Sequence, residues 1–101
     1  MELTEIREQI NRVDDELLPL FLRRMELSAR VAAYKKEAGM PVYDAAREQA
    51  ILDKISGRAG EMGEYARQLY REIMRLSRAY QEQLLTEGNG FSRSAAEKGE
   101  A

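Results

Sequence analysis

The sequence contains neither cysteine nor histidine among its 101 residues. Without cysteine the chain cannot form a disulfide, offer a thiolate nucleophile or bind a metal through sulfur. Without histidine it lacks the commonest metal ligand and the usual general base near neutral pH. We therefore expect no bound metal, and nothing in the sequence indicates another cofactor.

Long apolar runs and an excess of positive charge are also missing. No apolar stretch approaches the ~20 residues that a helix needs to cross a bilayer, and the acidic N-terminal segment is unlike a secretion signal. The formal net charge is −2, and acidic residues are interleaved with basic ones throughout. We therefore predict a cytoplasmic protein that binds neither nucleic acid nor membrane.

The residues that are present favour amphipathic helices, since 44% are hydrophobic and 34% are charged. The first predicted helix runs from Thr4, the expected N-cap, to Ala38, and Gly39 is expected to end it. At about 1.5 Å per residue it is roughly 50 Å long. Pro19 should bend this helix or divide it in two. Apolar residues spaced alternately by four and three form a heptad seam: Ile6, Ile10, Val13, Leu17, Leu20, Leu27, Val31, Tyr34 and Ala38.

Two shorter helices and a tail are predicted to follow. Asp44 is the expected N-cap of a helix that ends at about Ile55, and three glycines then mark a loop. The third helix should span about residues 64–85. Its predicted apolar stripe is Tyr65, Leu69, Ile73, Leu76, Tyr80 and Leu84. Residues 1–85 then form one domain, and residues 86–101, which lack any period, form a disordered tail or a linker.

The length of the first helix predicts that the protein associates with a copy of itself. The two shorter helices can cover only part of it, and long uncovered apolar stripes are association surfaces. We therefore predict an all-α homodimer in which two chains pair along their long helices.

Arg24 fills the seam position between Leu20 and Leu27. A guanidinium in an apolar row is costly unless it meets an anion. A salt bridge to a glutamate of a neighbouring helix is the simplest interpretation. Lys35, however, lies eleven residues further on, close to three full turns, so it shares a face with Arg24 about 16 Å away. That spacing fits the two ends of a cleft for a small molecule.

Arg7 lies seventeen residues before Arg24, which places it roughly 25 Å along the rod and about 100° around it. One chain cannot bring both arginines to one small ligand, whereas an antiparallel partner could lend its Arg7. Taken alone, Arg7 is most simply a solvated surface charge.

Further polar residues occur on the two shorter helices. Asp44, Arg47 and Glu48 open the second helix, where backbone N–H groups can bind oxygen atoms, although such clusters are usually caps and surface pairs. Ser77 and Gln81 form an i, i+4 pair on the third helix, and either could be merely solvated.

Together these residues and the strings around them resemble the all-helical chorismate mutases. The resemblance covers about residues 4–85. The matching strings are Ile6-Arg7-Glu8-Gln9-Ile10, Val13-Asp14-Asp15-Glu16-Leu17-Leu18, Arg23-Arg24-Met25-Glu26-Leu27, Val31-Ala32-Ala33-Tyr34-Lys35, Pro41-Val42-Tyr43-Asp44, Arg47-Glu48 and Ser77-x-x-x-Gln81. Pro19 departs from the pattern, because the long helix of the family is normally uninterrupted, and the tail has no counterpart in the minimal fold.

The resemblance implies an intertwined homodimer of three-helix chains. It also implies a cofactor-free isomerase that converts chorismate to prephenate by a Claisen rearrangement, in phenylalanine and tyrosine synthesis. Arg24 and Arg7 of the partner subunit would hold the two carboxylates, and Lys35 and Gln81 would contact the ether oxygen. Glu48 and the backbone near Asp44 would hold the ring hydroxyl. Arg47 and Ser77 would add support around the carboxylates.

Two other functions are compatible with these residues. An isochorismate-pyruvate lyase would keep the fold and change the reaction. A non-catalytic helical dimerisation or regulatory module would explain the heptad seam. It would not explain why Arg24 lies in the seam and Lys35 on the same face.

Overall fold

The computed structural model describes residues 2–87, and this part of the chain contains helices and no strand. Helix α1 spans Leu3–Ala38, α2 spans Ala45–Arg58 and α3 spans Gly63–Glu87, with a short 3-10 turn at Gly60–Met62. The predicted all-α architecture with one long helix is confirmed. Of the predicted tail, residues 86 and 87 belong to α3, and residues 88–101 lie outside the described range.

Helix α1 contains 36 residues and continues unbroken through Pro19, so the division into two helices was wrong. Its N-cap is Glu2 and not Thr4, because Glu2 and Glu5 form a reciprocal capping box. Gly39 ends the helix as predicted. It adopts a left-handed conformation with φ of 69°, which glycine tolerates best.

Helix α2 begins after Asp44, whose Oδ1 accepts a hydrogen bond of 3.0 Å from the backbone N–H of Arg47. The predicted N-cap is therefore confirmed, although the helix continues three residues past Ile55. Gly63 lies where the ends of α2 and α3 approach, and a Cβ there would come within 3.0 Å of the Ser56 carbonyl oxygen. Glycine therefore permits the close turn between these helices.

Helix α3 packs against both α1 and α2. Its buried face carries Met74, Ser77, Gln81 and Leu84. The predicted apolar stripe is covered only in its later part: Leu84 is buried and Ile73, Leu76 and Tyr80 are half-buried, whereas Tyr65 and Leu69 are 70% and 54% exposed. The prediction was therefore wrong for its first two residues. It also did not include Ser77 and Gln81, two polar residues of the buried face.

The described part of the chain measures 53 × 35 × 14 Å. Within it, α3 packs against both α1 and α2, which do not pack against each other, and only a few apolar side chains are buried. Every residue from Glu2 to Leu20 is exposed. Within the described residues, no helix is both long and apolar enough to span a membrane.

Candidate functional site

A pocket of about 310 Å³ lies where the C-terminal half of α1, the start of α2 and the last part of α3 converge. Apolar walls come from side chains such as Leu27, Val31 and Met74. Seven of the eight predicted site residues line it: Arg24, Lys35, Asp44, Arg47, Glu48, Ser77 and Gln81. Residues that lie more than fifty positions apart in the sequence are thus brought to one cleft.

Arg7 does not line this pocket. It lies on the fully exposed N-terminal half of α1, seventeen residues before Arg24, which corresponds to about 25 Å of helix. Its contribution from a second subunit remains a prediction.

Two of the pocket guanidiniums have no carboxylate partner in the described part of the chain. Neither Arg24 nor Arg47 forms a salt bridge among residues 2–87, so the simple interpretation of Arg24 as an intrachain ion pair finds no support there. The arginines of α3, in contrast, each contact a carboxylate: Arg67, Arg71, Arg75 and Arg78. Unpaired cations in a cleft attract an anionic ligand.

The ammonium of Lys35 is held by the loop that follows α1. Its Nζ donates a hydrogen bond of 2.6 Å to the carbonyl oxygen of Val42. The left-handed Gly39 makes this possible, because it ends the helix and turns the chain back towards the last turn of α1. An ammonium has three N–H donors, so two remain for a ligand.

A buried network of three polar side chains connects α1 and α3. Gln81 Nε2 donates to Ser28 Oγ at 2.9 Å and to Ser77 Oγ at 3.2 Å, and the two serine hydroxyls hydrogen-bond to each other. The Oε1 atom of Gln81 is buried and has no hydrogen-bond partner in the described part of the chain. Because the two serine oxygens also contact each other, they lie in nearly the same direction from Nε2, so one amide hydrogen of Gln81 is shared between them and the other can be donated to a ligand.

Ser28 was not predicted as a site residue. A signal for it existed, because it lies four residues after Arg24 and seven before Lys35, on the face that they share. A serine is uncharged, so it does not stand out in an apolar pattern as Arg24 and Lys35 do.

Arg78 was also missed. Its Nη1 lies 3.4 Å from Glu48 Oε1, and its guanidinium carbon lies 5.0 Å from the centre of the Tyr43 ring. The sequence feature that could have identified Arg78 is its position one residue after Ser77 and three before Gln81. That signal is hidden because arginines recur every three or four residues along α3.

The pocket differs in charge from the molecule as a whole. Four cationic side chains (Arg24, Lys35, Arg47 and Arg78) and two carboxylates (Asp44 and Glu48) line it, a formal charge of +2, whereas the whole chain carries −2. No group of acidic side chains suited to a metal ion occurs within residues 2–87. The arrangement therefore suits a small organic anion that is bound by guanidinium, ammonium and hydroxyl groups.

Comparison with known proteins gives a consistent result. A family model described as chorismate mutase type II matches residues 6–82. The chain is 39% identical over 54 residues to a chorismate mutase of Methanocaldococcus jannaschii, which is 54% of each protein. It is 37% identical over 79 residues to the T-protein of Enterobacter agglomerans, covering 75% of this chain and 21% of that protein.

A third relative is the 4-amino-4-deoxychorismate mutase of Streptomyces venezuelae, which is 31% identical over 62 residues, 61% of this chain and 60% of the relative. The chain therefore spans between about a fifth and three fifths of the length of these three relatives. No solved structure matches it.

Proposed function

This chain belongs to the chorismate mutase type II family, and we propose that it rearranges chorismate to prephenate. One observation carries the proposal: the guanidiniums of Arg24 and Arg47, which form no salt bridge among residues 2–87, and the ammonium of Lys35 line one small cleft. Chorismate is a small molecule with two carboxylates, an ether oxygen and a ring hydroxyl. Its charge of −2 is opposite to the formal charge of the cleft.

The chemistry suits a site without thiol or imidazole. In this rearrangement a C–O bond breaks and a C–C bond forms within one molecule, so no nucleophile and no proton transfer are needed. The protein has to hold the reactive conformer, which removes unproductive rotamers. It also has to stabilise charge that develops in the transition state more than in the bound ground state.

The two carboxylates would be held by guanidinium groups. Arg24 lies half-buried in the cleft and has no carboxylate partner among the described residues, so it can form a bidentate pair with a ligand carboxylate. We assign the second carboxylate to Arg7 of the partner subunit. Arg47 and the hydroxyl of Ser77 would add donors around these groups.

Negative charge grows on the ether oxygen as the C–O bond breaks, and Lys35 and Gln81 would stabilise it. The Val42 carbonyl fixes the Lys35 ammonium in advance, which lowers the reorganisation required during the reaction. Gln81 would donate its second amide hydrogen to the ether oxygen and keep the first on Ser28 and Ser77. Deleting such a donor typically lowers the rate by about 10²–10³.

The ring hydroxyl is a neutral donor and needs an acceptor. Asp44 and Glu48 are the two carboxylates that line the cleft. Asp44 Oδ1 accepts the N-cap bond, and Glu48 has a side chain only 20% exposed. We therefore assign the hydroxyl to Glu48, with the backbone near Asp44 beside it.

We further propose that two chains form the working unit. The large apolar residues of the first half of α1 are 41% to 65% exposed in one chain, which a second long helix would cover. An antiparallel arrangement would bring the partner subunit's Arg7 to the cleft. We also propose that residues 1–85 form the mutase domain and that it serves phenylalanine and tyrosine synthesis in the cytoplasm.

The direct test is incubation of the purified protein with chorismate, followed by separation of the products. Prephenate should form at least several orders of magnitude faster than without protein, since enzymes typically accelerate reactions about 10⁶-fold or more. A parallel incubation with isochorismate separates the alternative, because a lyase would release pyruvate and salicylate. Chorismate loss at the uncatalysed rate would show the proposal to be wrong.

A further inference from the structure

Arg78 differs from the other cationic side chains of the pocket. Among the described residues, it is the one pocket cation that pairs with a carboxylate, since its Nη1 lies 3.4 Å from Glu48 Oε1. The ring of Tyr43 lies against its guanidinium at 5.0 Å, a distance typical of a cation–π contact. These contacts join α3 to the start of α2 and to the loop before it.

These contacts change what Glu48 can bind. The two side chains are 32% and 20% exposed, so the pair lies partly out of water and is screened less than a surface pair. A carboxylate that is paired through one oxygen can still accept a hydrogen bond from a neutral hydroxyl through the other. Its net attraction for a second cation is largely cancelled by the guanidinium.

We propose that Arg78 makes the pocket selective for a ring substituent without charge, and that it excludes an ammonium group at the same position. The proposal rests on the function proposed above, in which Glu48 accepts the ring hydroxyl. An ammonium bound at the other oxygen of Glu48 would lie close to the guanidinium of Arg78. Their separation would be within one Debye length, roughly 8 Å at physiological ionic strength, so salt would not fully screen the two charges. Like charges placed at such a distance in a partly desolvated site repel each other.

The test compares two substrates: chorismate and its analogue with an amino group in place of the ring hydroxyl. The measured quantity is the ratio of kcat/KM for the amino analogue to kcat/KM for chorismate. Arg78→Met removes the charge and keeps much of the length of the side chain. We expect it to raise the ratio by at least about tenfold, because Glu48 becomes a free carboxylate that attracts an ammonium.

Two controls accompany this variant. Arg78→Lys keeps the positive charge and should keep the low ratio. Arg75 lies almost one turn before Arg78 on α3, is exposed and pairs with Glu72. Arg75→Met therefore removes an arginine outside the pocket and should leave the ratio unchanged. Thermal unfolding of each variant shows whether it is folded, and Arg78→Gln replaces Arg78→Met if that variant is not.

The outcomes separate this inference from the function on which it rests. An unchanged ratio in the folded uncharged variant, with chorismate still converted to prephenate, would overturn the role of Arg78 and leave the function intact. If Arg75→Met raises the kcat/KM ratio as much as Arg78→Met does, the role of Arg78 is also overturned, because loss of positive charge outside the pocket would then have the same effect. If the wild-type protein converts neither substrate, both the function and this inference fail.

Discussion

The two halves of helix α1 share one apolar pattern and have different surroundings. Residues 3–20 are all exposed, whereas the second half contains the buried residues Ser28 and Ala32 and the pocket residues Arg24 and Lys35. Even there, the two residues that are buried, Ser28 and Ala32, are small. The larger seam residues Leu27 and Val31 face the pocket instead.

This difference shows how much of a site one chain can build. The second half of α1 finds its packing partner, α3, in the same chain, and the junction creates the pocket. The first half has the same heptad seam, and all its residues up to Leu20 are exposed in the described part of the chain. A repeating apolar pattern thus indicates that a surface becomes buried without identifying what buries it.

The largest expected effect concerns the second half. Arg24→Ala and Lys35→Ala should each lower the turnover of chorismate by about 10²–10³ or more, because each removes a donor to the dianion. Neighbouring Arg23→Ala and Lys36→Ala are matched controls, since both side chains are exposed and neither lines the pocket. Steady-state rates and unfolding midpoints measure the effect. Near-normal turnover in Arg24→Ala or Lys35→Ala would refute the proposed site.

The next prediction concerns Arg7 in the first half. Arg7→Ala should lower turnover to a similar extent, although Arg7 lies outside the pocket of its own chain. When inactive Arg7→Ala and Arg24→Ala chains are refolded together, activity should return. About a quarter of the wild-type rate is expected, since half of the randomly formed dimers are mixed and each has one intact site of two.

This mixing experiment distinguishes a shared site from two separate defects. If mass spectrometry shows that mixed dimers have formed and activity does not return, Arg7 does not complete the pocket of the partner subunit. Full activity of Arg7→Ala alone would remove it from the site altogether.

A smaller and concentration-dependent effect is expected from a charge in the exposed seam. Val13→Asp should weaken self-association, because burying an unpaired carboxylate costs several kcal/mol. Asn11→Asp adds the same charge outside the seam and is the control. Sedimentation should show lighter particles for Val13→Asp at micromolar concentration, with activity that recovers as the protein is concentrated. Identical sedimentation of the two variants would place the pairing surface elsewhere.

The sequence predicts those parts of the fold that depend on local signals. Gly39 and Asp44 were identified as helix boundaries because capping is a property of a few neighbouring residues. The buried face of α3 was predicted only in part: Leu84 belongs to the predicted stripe, whereas Ser77 and Gln81 are polar, and tertiary contacts decide that they are buried. The capping box of Glu2 was missed because Thr4 is a stronger N-cap by residue type alone.

The same distinction applies to the candidate site. Arg24 and Lys35 were found from charge within an apolar pattern, and the remaining predicted residues from the family resemblance. Ser28 and Arg78 act on Gln81 and Glu48 through contacts between helices. Only the packing of α3 against α1 and α2 brings these pairs together.

The smallest expected effect concerns Ser28, which touches Gln81 and not the ether oxygen. Ser28→Ala should lower kcat by about three- to tenfold, the value of one hydrogen bond of 0.5–1.5 kcal/mol, because the Gln81 amide loses its shorter restraint. Ser56→Ala, outside the pocket, is the control. In a Gln81→Leu background the Ser28 substitution should have almost no further effect, since residues that act through one another are not additive. If Ser28→Ala lowers kcat equally in the wild-type and Gln81→Leu backgrounds, Ser28 does not act through Gln81. Its role would then be limited to packing between α1 and α3.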